Sequence, residues 1–97
     1  MSMHNPPHPG YFIKEVYITP FNISSRKVAE NLKVSPSTFN RLLNGGSNVS
    51  PEMALRLSKT LGRSPESWLA MQDQYDLWYA RKKVNLKEVK KIKLSAA

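Results

Sequence analysis

The stretch Ser24-Ser25-Arg26-Lys27-Val28-Ala29-Glu30-Asn31-Leu32-Lys33-Val34-Ser35-Pro36-Ser37-Thr38-Phe39-Asn40-Arg41-Leu42-Leu43-Asn44 reads as two short amphipathic helices joined by three residues. Ser24 and Ser35 stand where an N-cap hydroxyl accepts from free backbone N–H groups, and Pro36 at the first helical position removes a donor that has no partner there. Each cap is flanked by an apolar staple pair, Ile23 with Val28 and Val34 with Phe39. A link as short as Lys33-Val34-Ser35 forces the helices to cross steeply, which restricts the residues at the crossing. Ala29 is small where the second helix passes closest, and Val28 and Leu32 meet Val34, Phe39 and Leu42. Lys33 occupies the turn position usually given to glycine, so a left-handed backbone there predicts strain of ~1 kcal/mol. The outward positions of the second helix are then Ser37, Asn40 and Arg41, with Thr38 at the edge. Short hydrogen-bonding groups and one guanidinium suit base edges in a DNA major groove. Two amphipathic helices of any bundle show a similar alternation. The short link, the small residue before it and the polar outer face favour a helix-turn-helix.

Outward from this core, the Ser-Pro start recurs at Ser50-Pro51 and Ser64-Pro65, and Gly45 and Gly62 are placed to end helices in a left-handed conformation. Phe12 with Val16 and Ile13 with Tyr17 mark a first amphipathic helix from Gly10 to Ile18, stopped by Pro20. The spacing therefore predicts an all-α fold of five helices at about 10–18, 25–32, 36–43, 51–61 and 65–81. The chain divides into a flexible arm over 1–9, a helix-turn-helix domain over 10–81 and a basic tail over 82–97. Within the tail, Ile92-Lys93-Leu94 is a candidate short strand pairing across a dimer. On the last helix Trp68, Met71, Tyr75, Trp78 and Tyr79 share one stripe, with Leu77 on the opposite side. Trp68 and Met71 are assigned to the core, and Tyr75, Trp78 and Tyr79 to a dimer or partner interface.

Ninety-seven residues with 40% apolar content suit one domain with a single core. The absence of cysteine excludes disulfides and thiolate metal sites and suits a reducing cytoplasm. Residues 1–10 lack the charged region and apolar run of a signal peptide, and no apolar stretch approaches the ~20 residues of a membrane span. The net charge is +8, yet residues 81–97 hold seven of the fifteen basic residues against one acid, Glu88, leaving only +2 on residues 1–80. Charge alone thus points to the tail rather than the folded domain. Enzyme readings fare badly. His4 and His8 are spaced i, i+4, but the prolines around them prevent a helix that would align them on a metal. Asp73 and Asp76 read as solvating residues of a helix, and Gly45-Gly46 lacks the Lys-Ser/Thr of a phosphate loop. No catalytic residue, metal or cofactor is expected.

The string from Ser35 to Gly45 resembles the recognition helix of the Xre, or lambda-repressor-like, helix-turn-helix family. His8-Pro9-Gly10, the run from Ser50 to Ser58, Ser64-Pro65-Glu66-Ser67-Trp68-Leu69 and Tyr75-Asp76-Leu77-Trp78 are similar to HigA-type antitoxins. The resemblance covers residues 8–81; relatives often place Gln where this chain has Ser25. It implies a lambda-repressor-like fold and a dual role. Such antitoxins bind and silence a HigB-type mRNA-cleaving toxin, and as homodimers repress their own operon. On that fold, Ser37, Asn40 and Arg41 reach bases of double-stranded operator DNA. Ser25, Arg26, Thr38, Asn44 and the Gly45-Gly46-Ser47-Asn48 loop, Ser47 among it, hold phosphates through side chains and backbone N–H groups. The alternatives are a stand-alone Xre-type repressor without a toxin and an adaptor that no longer touches DNA.

Overall fold

The computed structural model describes residues 5–95, and these form five helices and no strand. Helix α1 spans residues 9–21 as an α-helical turn Pro9–Ile13, a π-helical stretch Lys14–Ile18 and a final turn Thr19–Phe21. It is followed by α2 (Ser25–Leu32), α3 (Pro36–Leu43), α4 (Pro51–Leu61) and α5 (Pro65–Lys83). The bounds of α2, α3 and α4 are those expected from the caps. The hydroxyls of Ser24, Ser35, Ser50 and Ser64 each accept from the backbone N–H three residues on, at 3.0–3.1 Å.

Three helix ends share one device. The N–H of Asn22, Lys33 and Gly45 returns to the carbonyl three residues back, and the next N–H reaches five residues back. This closure requires a left-handed residue, and Lys33 adopts it at φ 61 without being glycine. Gly62 also has positive φ, at 99, but with ψ −168, an extended conformation open only to glycine. Pro20 does not stop α1. In the π-helical stretch the Thr19 N–H bonds the Lys14 carbonyl, five residues back, so the ladder is already offset where the proline lacks its donor. The helix ends two residues later, at Asn22 with φ 53.

The core lies where α1, α2, α3, α4 and the start of α5 meet. Ile13, Leu32, Phe39, Leu42, Leu57 and Trp68 are sealed there from solvent, each large side chain contributing roughly 1.5–3 kcal/mol on burial. Trp68 donates its indole N–H to the Gly62 carbonyl at 2.9 Å, while Phe12 meets it edge-on at 5.9 Å. Helix α1 comes against the end of α3 backbone to backbone. A Cβ on Gly10 would stand 2.8 Å from the Leu43 Cα and closer still to the Leu42 carbonyl oxygen, so only glycine fits.

Residues 5–9, expected to belong to a loose arm, take defined places. Asn5 to His8 lie against α5, and Pro9 is buried in the first turn of α1; residues 1–4, including His4, fall outside the described residues. His8 caps α1, its Nδ1 accepting from the Gly10 N–H at 2.9 Å. Its ring meets Tyr75 edge-on at 4.9 Å. Within the single chain residues 92–94 carry no strand. Residues 84–95 carry only a turn, with the Lys87 N–H on Asn85 Oδ1 and the Val89 N–H on the Leu86 carbonyl. Ile92 and Leu94 are exposed, and among the described residues no strand offers them a ladder.

Burial lowers the His8 pKa below its ordinary 6.5, outweighing the Ser47 backbone and the Asp76 carboxylate, which favour the proton. The fold therefore prefers the neutral ring, and protonation removes the acceptor that caps α1. This contribution is complete above the ordinary His pKa and is lost as pH falls from there toward the depressed folded value. His8→Asn keeps a cap acceptor and removes the titration. We expect thermal melts between about pH 7.5 and 5 to show a steeper fall in Tm for the wild type than for His8→Asn; parallel curves would rule the coupling out.

Candidate nucleic-acid interface

The face of α3 follows from its helical phase. At about 100° per residue, Ser37, Asn40, Arg41 and Asn44 fall within roughly 100° of one another, and Phe39, Leu42 and Leu43 on the other side. The inner three are buried and the outer four exposed. Nothing in residues 5–95 covers the polar ridge.

Hydroxyls crowd the N-terminus of α3. Ser35 Oγ accepts the Thr38 N–H, donates to Thr38 Oγ1 at 2.9 Å and lies 3.2 Å from Ser37 Oγ. Thr38 is thereby tied to the cap and half-buried, while Ser37 remains exposed. Arg41 forms no ion pair among the described residues; its stem lies over Gly46, where a Cβ would come 3.1 Å from Arg41 Cγ. The other candidates separate by element. Arg26 is exposed and Ser25 half-buried at the N-terminus of α2; Asn44 is exposed at the end of α3; Ser47 is half-buried in the following loop. The ridge and the loop thus form one continuous segment, with the α2 N-terminus contributed by the neighbouring helix.

Three polar anchors outside the helix-turn-helix hold this segment. Arg56 on α4, paired with Glu52 at 2.9 Å, donates to the Leu32 carbonyl at 2.7 Å and so closes the C-terminus of α2. Gln72 on α5, 3% exposed, accepts the Val49 N–H at 2.8 Å. His8 lies against the loop beside Gly45. None was marked as functional by its own local pattern, because each acts on a residue distant in sequence. The only sequence signal was indirect: a histidine followed by Pro-Gly before a helix.

The aromatic stripe of α5 is divided. Trp68 is fully buried and Met71 packs on the core. Tyr75 is covered by His8, and the Tyr79 hydroxyl reaches Asn5 Oδ1 at 3.5 Å. Trp78 is half-buried beneath Lys82, whose Nζ lies 4.9 Å from the ring centre, and Leu77 is 48% exposed. Among the described residues no cluster of His, Cys, Asp or Glu has metal-binding geometry, and no helix is long and apolar enough to cross a membrane.

Residues 13–68, more than half of the chain, match the helix-turn-helix family HTH_3. YddM of Escherichia coli K12, an uncharacterized HTH-type transcriptional regulator, is 38% identical over 95% of this chain and 97% of its own length. Antitoxin HigA-1 of Vibrio cholerae is also 38% identical, over 74% of this chain and 68% of its own. Among solved structures, Pseudomonas aeruginosa antitoxin HigA with the higBA promoter superimposes with a TM-score of 0.79 at 30% identity, over 92% of this chain and 99% of that one. With its five helices in lambda-repressor-like order, the chain belongs to the helix-turn-helix family, and its homologues include HigA antitoxins.

Proposed function

We propose that this protein is the antitoxin of a type II toxin–antitoxin pair, neutralising a HigB-type mRNA-cleaving toxin in the bacterial cytoplasm and repressing its own operon as a DNA-bound dimer. The observation that carries the DNA half is the uncovered ridge of α3, apolar on its inner side and bearing Ser37, Asn40 and Arg41 outside. Its support is the likeness to a HigA crystallised with its promoter. Ser37, Asn40 and Arg41 read bases, while Ser25, Arg26, Thr38, Asn44 and Ser47 hold phosphates. No catalytic role is assigned to any residue.

Two-fold symmetry would place two α3 helices about one DNA turn, ~34 Å, apart. We assign the dimer contact to α5, around Trp78 with Tyr75 and Tyr79 at its margin. The charge pattern bears on the Leu77 side of that helix, which adjoins Trp78 and lies opposite Tyr75 and Tyr79: Asp73 and Arg81 stand four residues either side of exposed Leu77. An antiparallel copy of α5 centred there sets each aspartate opposite an arginine. A second reading, a stand-alone repressor, draws on the near full-length likeness to the regulator YddM.

Arg41→Ala is expected to cost ~1–3 kcal/mol on the operator and to relax base preference, whereas Arg26→Ala weakens all duplexes alike. Equal losses on operator and random DNA for Arg41→Ala would remove its base-reading role. For the dimer, Arg81→Asp is expected to shift sedimentation toward the monomer, and adding Asp73→Arg to restore it; an unchanged profile for both variants dismisses the α5 contact. Co-expression with the product of the adjacent short gene is expected to co-purify the pair and relieve growth arrest. Arrest unrelieved by this chain would favour the stand-alone repressor.

A further inference from the structure

The loop between α3 and α4 is held by a chain of side-chain amides whose orientation can be deduced. Gln72 Oε1 must face Val49, because a backbone N–H only donates. Gln72 Nε2 must then supply the remaining contacts, to Asp76 Oδ1 at 3.0 Å and Asn48 at 3.2 Å. A carboxylate only accepts, which fixes the same assignment independently. Both amide hydrogens of Gln72 are thus committed, and the Asn48 atom facing them has to be its oxygen. The Nδ2 of Asn48 consequently points away from α5. Asn48 is exposed, and no acceptor among the described residues takes its Nδ2–H or the backbone N–H of Ser47 or Asn48.

We infer that Gln72 is a positioning residue for operator binding: it turns the Nδ2–H of Asn48 outward, so that the loop expected to hold phosphate does so through this donor. The inference rests on the operator-binding reading above. A phosphate is the fitting acceptor for two reasons. The loop follows the C-terminal end of α3, whereas helices of this kind read bases mainly from their N-terminal residues. The unpaired amide and main-chain donors here also match the groups that commonly hold phosphate oxygens. Asp76, one turn beyond Gln72 on α5, completes the set, so the donor direction of Asn48 is determined from the far side of the domain.

The test is fluorescence anisotropy with the duplex upstream of this chain's own gene and a scrambled duplex of equal length. Asn48→Ala is expected to weaken binding about tenfold on both, and Asn48→Asp by more, since it sets a carboxylate against phosphate. Gln72→Glu keeps an acceptor for Val49 but draws the Asn48 amide around, leaving an oxygen outward; it is expected to match Asn48→Ala. Added to Asn48→Ala, it should cost nothing more, a non-additivity that a merely structural role would not produce. Additive losses overturn the positioning role, and a loss confined to the promoter duplex overturns the phosphate assignment. Arg41→Ala separates the two levels. If it weakens binding while both Asn48 variants stay within about twofold of wild type, only this inference falls. If Arg41→Ala changes nothing either, the operator reading falls with it.

Discussion

A helix of eight residues does not hold itself together in water: isolated helices shorter than ~12–15 residues are marginal, and α3 spans only Pro36–Leu43. Its shape has to come from its surroundings, on one side only, because the other must stay open. Phe39, Leu42 and Leu43 supply the inner grip. Ser35 closes its first turn, the Gly45–Gly46 turn closes its last, and α1 leans its glycine on the Leu42–Leu43 backbone. Everything else in the fold serves this support. Arg56 fixes the turn entering α3 from α4, and Gln72 fixes the loop leaving it from α5.

What could be read in advance was what is local. N-caps, Ser-Pro starts and left-handed ends act within four or five residues, so the bounds of α2, α3 and α4 and the strained Lys33 were legible in the chain. The misreadings share the opposite property. Pro20 was treated as a stop on its own lack of a donor, while the wider turns before it had already displaced the ladder. His8 was assigned to a loose arm, although its ring serves as a cap and as an edge for Tyr75. Gln72 and Arg56 escaped notice because their partners lie 23 and 24 residues away. A polar side chain on a helix looks solvated until the fold supplies its partner.

The stripe on α5 shows how one pattern divides between purposes. Helical spacing placed five large side chains on a common face, and the fold allots the first two to the core. The N-terminal segment then covers Tyr75 and touches Tyr79 at its hydroxyl, which leaves Trp78 and Leu77 as the largest apolar groups toward the end of that helix. Charge is distributed with similar economy. Most of the positive excess sits beyond residue 80, outside the helix-turn-helix segment. The ridge itself has one guanidinium among hydroxyls and amides, a composition suited to discriminating sequence rather than to indiscriminate attraction.

The π-helical stretch of α1 has a geometric effect on all that precedes it. A π turn behaves as one extra residue accommodated without a break, so the segment before it is rotated by about one residue's worth, ~100°, relative to an uninterrupted helix. That phase is what brings the Pro9–Ile13 turn to bear on α3 with its glycine inward. Lys14–Ile18 thus serves as a rotational spacer: losing a single residue there would leave the Pro9–Ile13 sequence intact and still swing its contacting face out of alignment.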